Sequence, residues 1–127
     1  MYYLLEDNRI VNSLSIREDL DLLVGIDFYV EKDEIVLTIG HIYIERISII
    51  KKAENVYDLI ENGDLLKYKD RFDGIVCLDI VKEVDVKLKT IQLTTNLIKY
   101  HEVISFYKPD ANGNYIKAWE KKDDINK

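Results

Sequence analysis

Two histidines, one cysteine and several clusters of acids are the side chains best equipped for chemistry in this chain. His41 opens the run HIYIERISII and His101 lies in IKYHEVI, and neither has a cysteine or carboxylate at zinc-site spacing. Neighbouring strand residues point to opposite faces, so His101 and Glu102 make no local acid–base pair. Asp110–Asn114, DANGN, sets oxygens at alternate positions like the start of a calcium loop. The glycine and glutamate such a loop needs further on are replaced by Tyr115 and Lys121, so DANGN reads as a turn between strands. No glycine-rich phosphate cradle and no nucleophile elbow occur. Glu18, Asp19 and Asp21, and Asp33 with Glu34, sit in turn-like segments where like charges are solvated. Paired carboxyls of a hydrolase stand instead at a fixed separation across a cleft. The expectation is a protein without catalytic residues, metal ligands or cofactor.

Tyrosine is the other candidate chemistry. Tyr2, Tyr3, Tyr29, Tyr43, Tyr68, Tyr100 and Tyr107 all fall on predicted strands. Tyr68 lies between Lys67 and Lys69, and Tyr100 follows Lys99. Aromatics beside cations stack single-stranded bases in small barrels, and aromatics rimmed by charge also make protein interfaces. These six residues, Lys67, Tyr68, Lys69, Lys99, Tyr100 and Tyr107, are therefore the predicted interaction surface. Charge decides between the two partners. Residues 1–63 carry 6 basic and 13 acidic side chains, a balance of −7, and residues 64–127 carry 12 and 11, a balance of +1. Phosphate backbones demand clustered cations that an acidic half lacks, so a protein partner is favoured over nucleic acid.

The elements that must position these groups read mainly as strands. Ile and Val are abundant and Ala is scarce, a composition suited to pleated surfaces. YYLLE, RIV, VGIDFYVE, EIVLTIG, HIYIERISII, DLLKYK, IVCLDIVKEV, DVKLKTIQLT, NLIKYHEVISFY and YIKAWE are the predicted strands. In the fifth, Ile42 and Ile44 have opposite parity to Ile47 and Ile49, which predicts a β-bulge near Glu45–Arg46 that returns both pairs to the core. Val84, Val86 and Leu88 slip in the same way against Ile91 and Leu93. Lys32–Asp33 and Asp73–Gly74 are predicted turns. NVYDLIENG begins with an N-cap, Asn55, brings Val56, Leu59 and Ile60 to one face and ends at Gly63, predicting a two-turn helix over 55–62. A second helix is expected over 15–22, with Ser15 and Glu18 as its capping box. A helix-turn-helix would need a recognition helix after Gly63, and DLLKYKDRFDG supplies none. Cys77, inside GIVCLDIV, is expected to be a buried thiol.

The predicted fold is thus mainly β (α+β). A single small domain over 1–120 forms a curved antiparallel sheet or small barrel, with a charged flexible tail at 121–127. MYYLLEDNR has neither a basic start nor an apolar core of a signal peptide, and no apolar run approaches a membrane span, so the expected setting is the cytoplasm.

The segment IIKKAENVYDLIENGDLLKYKD resembles small uncharacterised proteins of bacteriophages and prophages of low-GC Gram-positive bacteria. Asn55, Asp58, Leu59, Ile60, Glu61, Gly63 and Asp64 match a segment of theirs, with Leu65 and Leu66 in place of its Tyr-Val. YYLLEDNRIV and YKPDANGNYIKAWEK look like the ends of such proteins. The resemblance implies a phage-encoded accessory protein in the bacterial cytosol. It would bind a host protein and act as an anti-CRISPR-like inhibitor of defence. The alternative is a small barrel that binds single-stranded nucleic acid or a nucleotide. Exposed sheet edges also offer a route to homo-oligomers.

Overall fold

A computed structural model describes residues 1–122; the predicted flexible tail falls, from residue 123 on, outside the described residues. The fold is mainly β, with a strongly curled half-barrel sheet and few short helices. The chain divides into two compact units, Met1–Leu59 and Ile60–Lys127, each with its own sheet.

The first unit contains β1 (Tyr2–Leu5), β2 (Ile10–Asn12), α1 (Ile16–Asp19), β3 (Ile26–Glu31), β4 (Glu34–Ile39) and β5 (Ile42–Ala53). Its strands are antiparallel in the order β2-β1-β5-β4-β3. Leu5, Val11, Ile35, Leu37, Ile47 and Ile49 from one face of this sheet form the core, closed over by Ile16 and Leu20. The bulge predicted from parity exists, displaced slightly. Leu37 faces Glu45 while Thr38 faces Tyr43, so Ile44 is the extra residue of β5. It brings Ile47 and Ile49 into the core but not Ile42 and Ile44, which stay 72% and 40% exposed. A bulge restores parity, whereas burial also needs something to pack against, and among the described residues nothing buries Ile42 at the end of the β4–β5 hairpin.

The helix expected over 15–22 is one turn, and its end explains its shortness. Leu22 N–H bonds the Arg17 carbonyl at 3.0 Å and Asp21 N–H that of Glu18 at 3.2 Å, with Asp21 at φ +54°. That is a Schellman closure with aspartate in the left-handed position. The capping box does not form: Ser15 Oγ donates instead to Asp19 Oδ2 at 3.1 Å, which also accepts Asn12 N–H at 2.7 Å.

The two-turn helix expected over 55–62 is likewise only a 3-10 turn, Val56–Leu59. Asn55 Oδ1 accepts Tyr57 N–H at 3.0 Å, the N-cap bond expected of it. The next turn does not form, because Glu61 N–H bonds Asp64 Oδ2 at 2.9 Å and Gly63 N–H bonds the Val81 carbonyl at 2.9 Å. Val56 and Leu59 are buried as their spacing demands.

Lys32 opens the two-residue β3–β4 loop at φ +50°, a conformation unfavourable for a residue with a Cβ. Lys32→Gly removes that strain and leaves the Lys32 carbonyl to accept Lys52 Nζ, now at 3.0 Å. A gain of about 0.5–1 kcal/mol is expected, read as a higher thermal midpoint. An unchanged or lower midpoint would contradict it.

The second unit contains β6 (Leu65–Lys69), β7 (Val76–Asp85), β8 (Thr90–Leu93), β9 (Leu97–Lys99), β10 (Val103–Pro109) and β11 (Tyr115–Glu120), in the order β11-β10-β6-β7-β8-β9. Asp73–Gly74 lies in the β6–β7 hairpin turn as expected, where Gly74 N–H bonds the Asp70 carbonyl. Two predicted continuous strands are broken. DVKLKTIQLT turns at Val86–Lys89, where Asp85 Oδ1 accepts Leu88 N–H at 3.0 Å and Lys89 sits at φ +55°. The parity slip there is a hairpin, not a bulge. NLIKYHEVISFY is interrupted by a 3-10 turn at Tyr100–Glu102.

Candidate functional site

A cleft of about 240 Å³ opens in the first unit. The Schellman turn after α1 brings Leu20, Leu22 and Leu23 to the lining, and Gly25 at φ +95° turns the chain into β3, whose Ile26 also lines it. Arg17 fixes this return by donating to the Ile26 carbonyl at 2.7 Å. Leu37, Ile44 and Ile47 of β4 and β5 complete the lining, so the bulge residue Ile44 is used here rather than in the core. Leu23 is 73% exposed, and its neighbour in the chain Val24 is also uncovered. So are Ile39, which pairs with the lining residue Ile26, and Ile42, which pairs with Ile39.

Arg9, Asp21 and Glu45 bring charge to this apolar lining. Arg9 is already committed, with its guanidinium 2.6 Å from Asp7 Oδ2. Burial would push the Asp7 carboxyl up, but hydrogen bonds from Arg9 and its charge outweigh this and hold the group below its ordinary value. Among the described residues, neither Asp21 nor Glu45 has an ion-pair partner. The cleft is therefore greasy inside and anionic at its lining carboxylates. Ligand pockets for drug-sized molecules run to roughly 300–1,000 Å³, so this volume suits one or two side chains.

The surface predicted from tyrosines and lysines is only partly brought together. Tyr68 and Tyr100 are 4% and 5% exposed, in the core of the second unit, so neither ring can stack on an incoming base. Period-2 alternation places Tyr68 on the same face as Leu66, which pairs with Phe106, and that face is the buried one. Lys67, Lys69 and Tyr107 do share the opposite face, beside Leu65, Val76 and Leu78. Lys99 is exposed on β9, which is separated from β6 by β7 and β8.

The remaining candidates find ordinary places. His41 is exposed in the β4–β5 turn and His101 in the Tyr100–Glu102 turn, not in the strand expected for it. Cys77 is half-buried rather than buried, with Sγ 3.6 Å from the Ile75 carbonyl. Asp110 Oδ1 accepts the N–H groups of Asn112 and Asn114 at 2.8 and 2.9 Å, so its oxygen serves the turn. Among the described residues no three His, Cys, Asp or Glu side chains gather as a metal site.

One constellation escaped the sequence reading. Lys108 Nζ lies 2.7 Å from Asp64 Oδ2 and 2.9 Å from Glu61 Oε1, and the Lys108 and Asp64 side chains are each 4% exposed. Asp64 Oδ2 also accepts Glu61 N–H at 2.9 Å, and Tyr115 hydroxyl donates to the Gly63 carbonyl at 2.8 Å. Burial pushes the Asp64 carboxyl up, and the Lys108 ammonium only partly offsets it. Donors and acceptors here satisfy one another, so the cluster braces the segment before β6 and offers no reactive group. Its signal was present: Lys108 has the parity of Phe106 on β10, and a lysine at a core-facing position needs a buried counter-charge.

Comparison with protein families, with curated proteins and with solved structures finds no match for this chain. Among the described residues no helix is long and apolar enough to cross a membrane.

Proposed function

We propose that this protein is a non-catalytic binding protein whose first unit engages a second protein through the cleft between the α1 turn and the β4–β5 hairpin. The observation that carries this reading is the combination of an apolar lining with uncovered Leu23, Val24, Ile39 and Ile42 around it. Protein interfaces are built as an apolar centre inside a polar rim, and a few anchors supply most of the binding energy. Uncovered aliphatic groups in one place mark such sites. The resemblance to phage and prophage proteins adds the context: a host protein as the partner, and inhibition of a defence system as the consequence.

A photo-crosslinking amino acid placed at Leu23 or Ile42 tests it in cells of the host. The expected result is one dominant adduct to another protein from both positions and none from the exposed control Ala111 on the second unit. Adducts equal to the control would overturn the reading, and an adduct of twice the chain's mass would replace it with self-association.

A further inference from the structure

We infer that the cleft receives an arginine or lysine side chain of the partner, its aliphatic stem against Leu22, Ile26 and Ile44 and its cation at Asp21 and Glu45. This rests on the protein-binding reading and names the chemistry of the partner. The cleft couples an apolar lining to two carboxylates that lack ion-pair partners among the described residues. A purely apolar occupant would cover part of the hydration of these exposed carboxylates and use neither charge, which is the less favourable fit. An acid or a phosphate would be repelled by Asp21 and Glu45, because Arg9, the cation in the same lining, is already neutralised by Asp7 at 2.6 Å. Long basic side chains alone join an apolar stem to a cationic tip and lay the stem on greasy surface. The field of the unit acts in the same direction. Met1–Leu59 holds 6 basic and 12 acidic side chains, a balance of −6, so a basic segment is drawn to it from a distance.

A displayed library of random 12-residue peptides, panned on the full chain at low salt, tests the assignment. Enriched peptides should share an arginine or lysine and bind roughly tenfold or more weakly to the Asp21→Asn, Glu45→Gln double variant. Their affinity should also fall between 50 and 300 mM NaCl, as screening requires. Asparagine tolerates the positive φ of Asp21, and both side chains lie at the surface, so the variant should keep its thermal midpoint. Glu83→Gln, exposed on the second unit, should leave binding unchanged. No enrichment, enriched peptides without a basic residue, or equal binding to the double variant would each overturn the inference. Binding that is lost in Leu23→Ser but unchanged in the double variant would sink this inference and leave the protein-binding reading standing.

Discussion

Replacing Lys108 by alanine should destabilise the protein by about 3–5 kcal/mol at pH 7. The ammonium is buried against an equally buried carboxylate, Asp64, and its removal leaves that charge without a partner. Glu61 is the lesser concern, because its side chain is half exposed and water can take over. The loss should depend on pH, and its sign follows from the carboxyl. Burial already holds Asp64 above its ordinary value of 3.8, and loss of the cation raises it further. In the variant the fold therefore prefers the neutral acid, whose contribution is intact below 3.8 and is lost as pH rises through the raised folded-state value. Urea midpoints at pH 4 and pH 7 should show a smaller penalty at the lower pH. Asp64→Leu combined with Lys108→Met removes both charges together and should recover most of the loss. A penalty near zero at both pH values would show that the pair contributes nothing.

Phe106→Ala should lose about 3–5 kcal/mol by leaving a cavity in the second unit. The ring is fully buried on β10, paired with Leu66 of β6, and lies 5.9 Å from the Trp119 ring at 33°. Lys108 Nζ sits 5.9 Å from its centre, so the losses of Phe106→Ala and Lys108→Ala should not add. Phe72→Ala is the internal comparison: that ring is 89% exposed, and its removal should change stability by no more than about 0.5 kcal/mol. Chemical unfolding of both variants checks the contrast. Similar losses would show that Phe106 does not anchor the core of the second unit.

Strand positions were legible where the turn chemistry was unambiguous. Asp73–Gly74 and Lys32–Asp33 fall in hairpin turns, and Tyr115–Glu120 is a strand, because each depends on contiguous residues alone. Helix length was not legible. Asn55 does cap a turn as expected, but the Schellman bonds at Asp21 and Leu22, and the bonds that Glu61 and Gly63 make outside the helix, end each helix after one turn. The cleft was invisible for a different reason. Ile42 and Ile44 read as core by type, and they stay at the surface because no element among the described residues packs over them.

The sequence by itself determined that this chain is mainly β and which side chains alternate on its strands, since period-2 patterning and turn residues act within a few positions of one another. The tertiary structure alone decided which face is wet. It sent Tyr68 and Tyr100 inward, left Ile42 outside and joined Lys108 to Asp64 across 44 positions. Parity assigns a residue to a face, but burial depends on what strands distant in the chain lay against it.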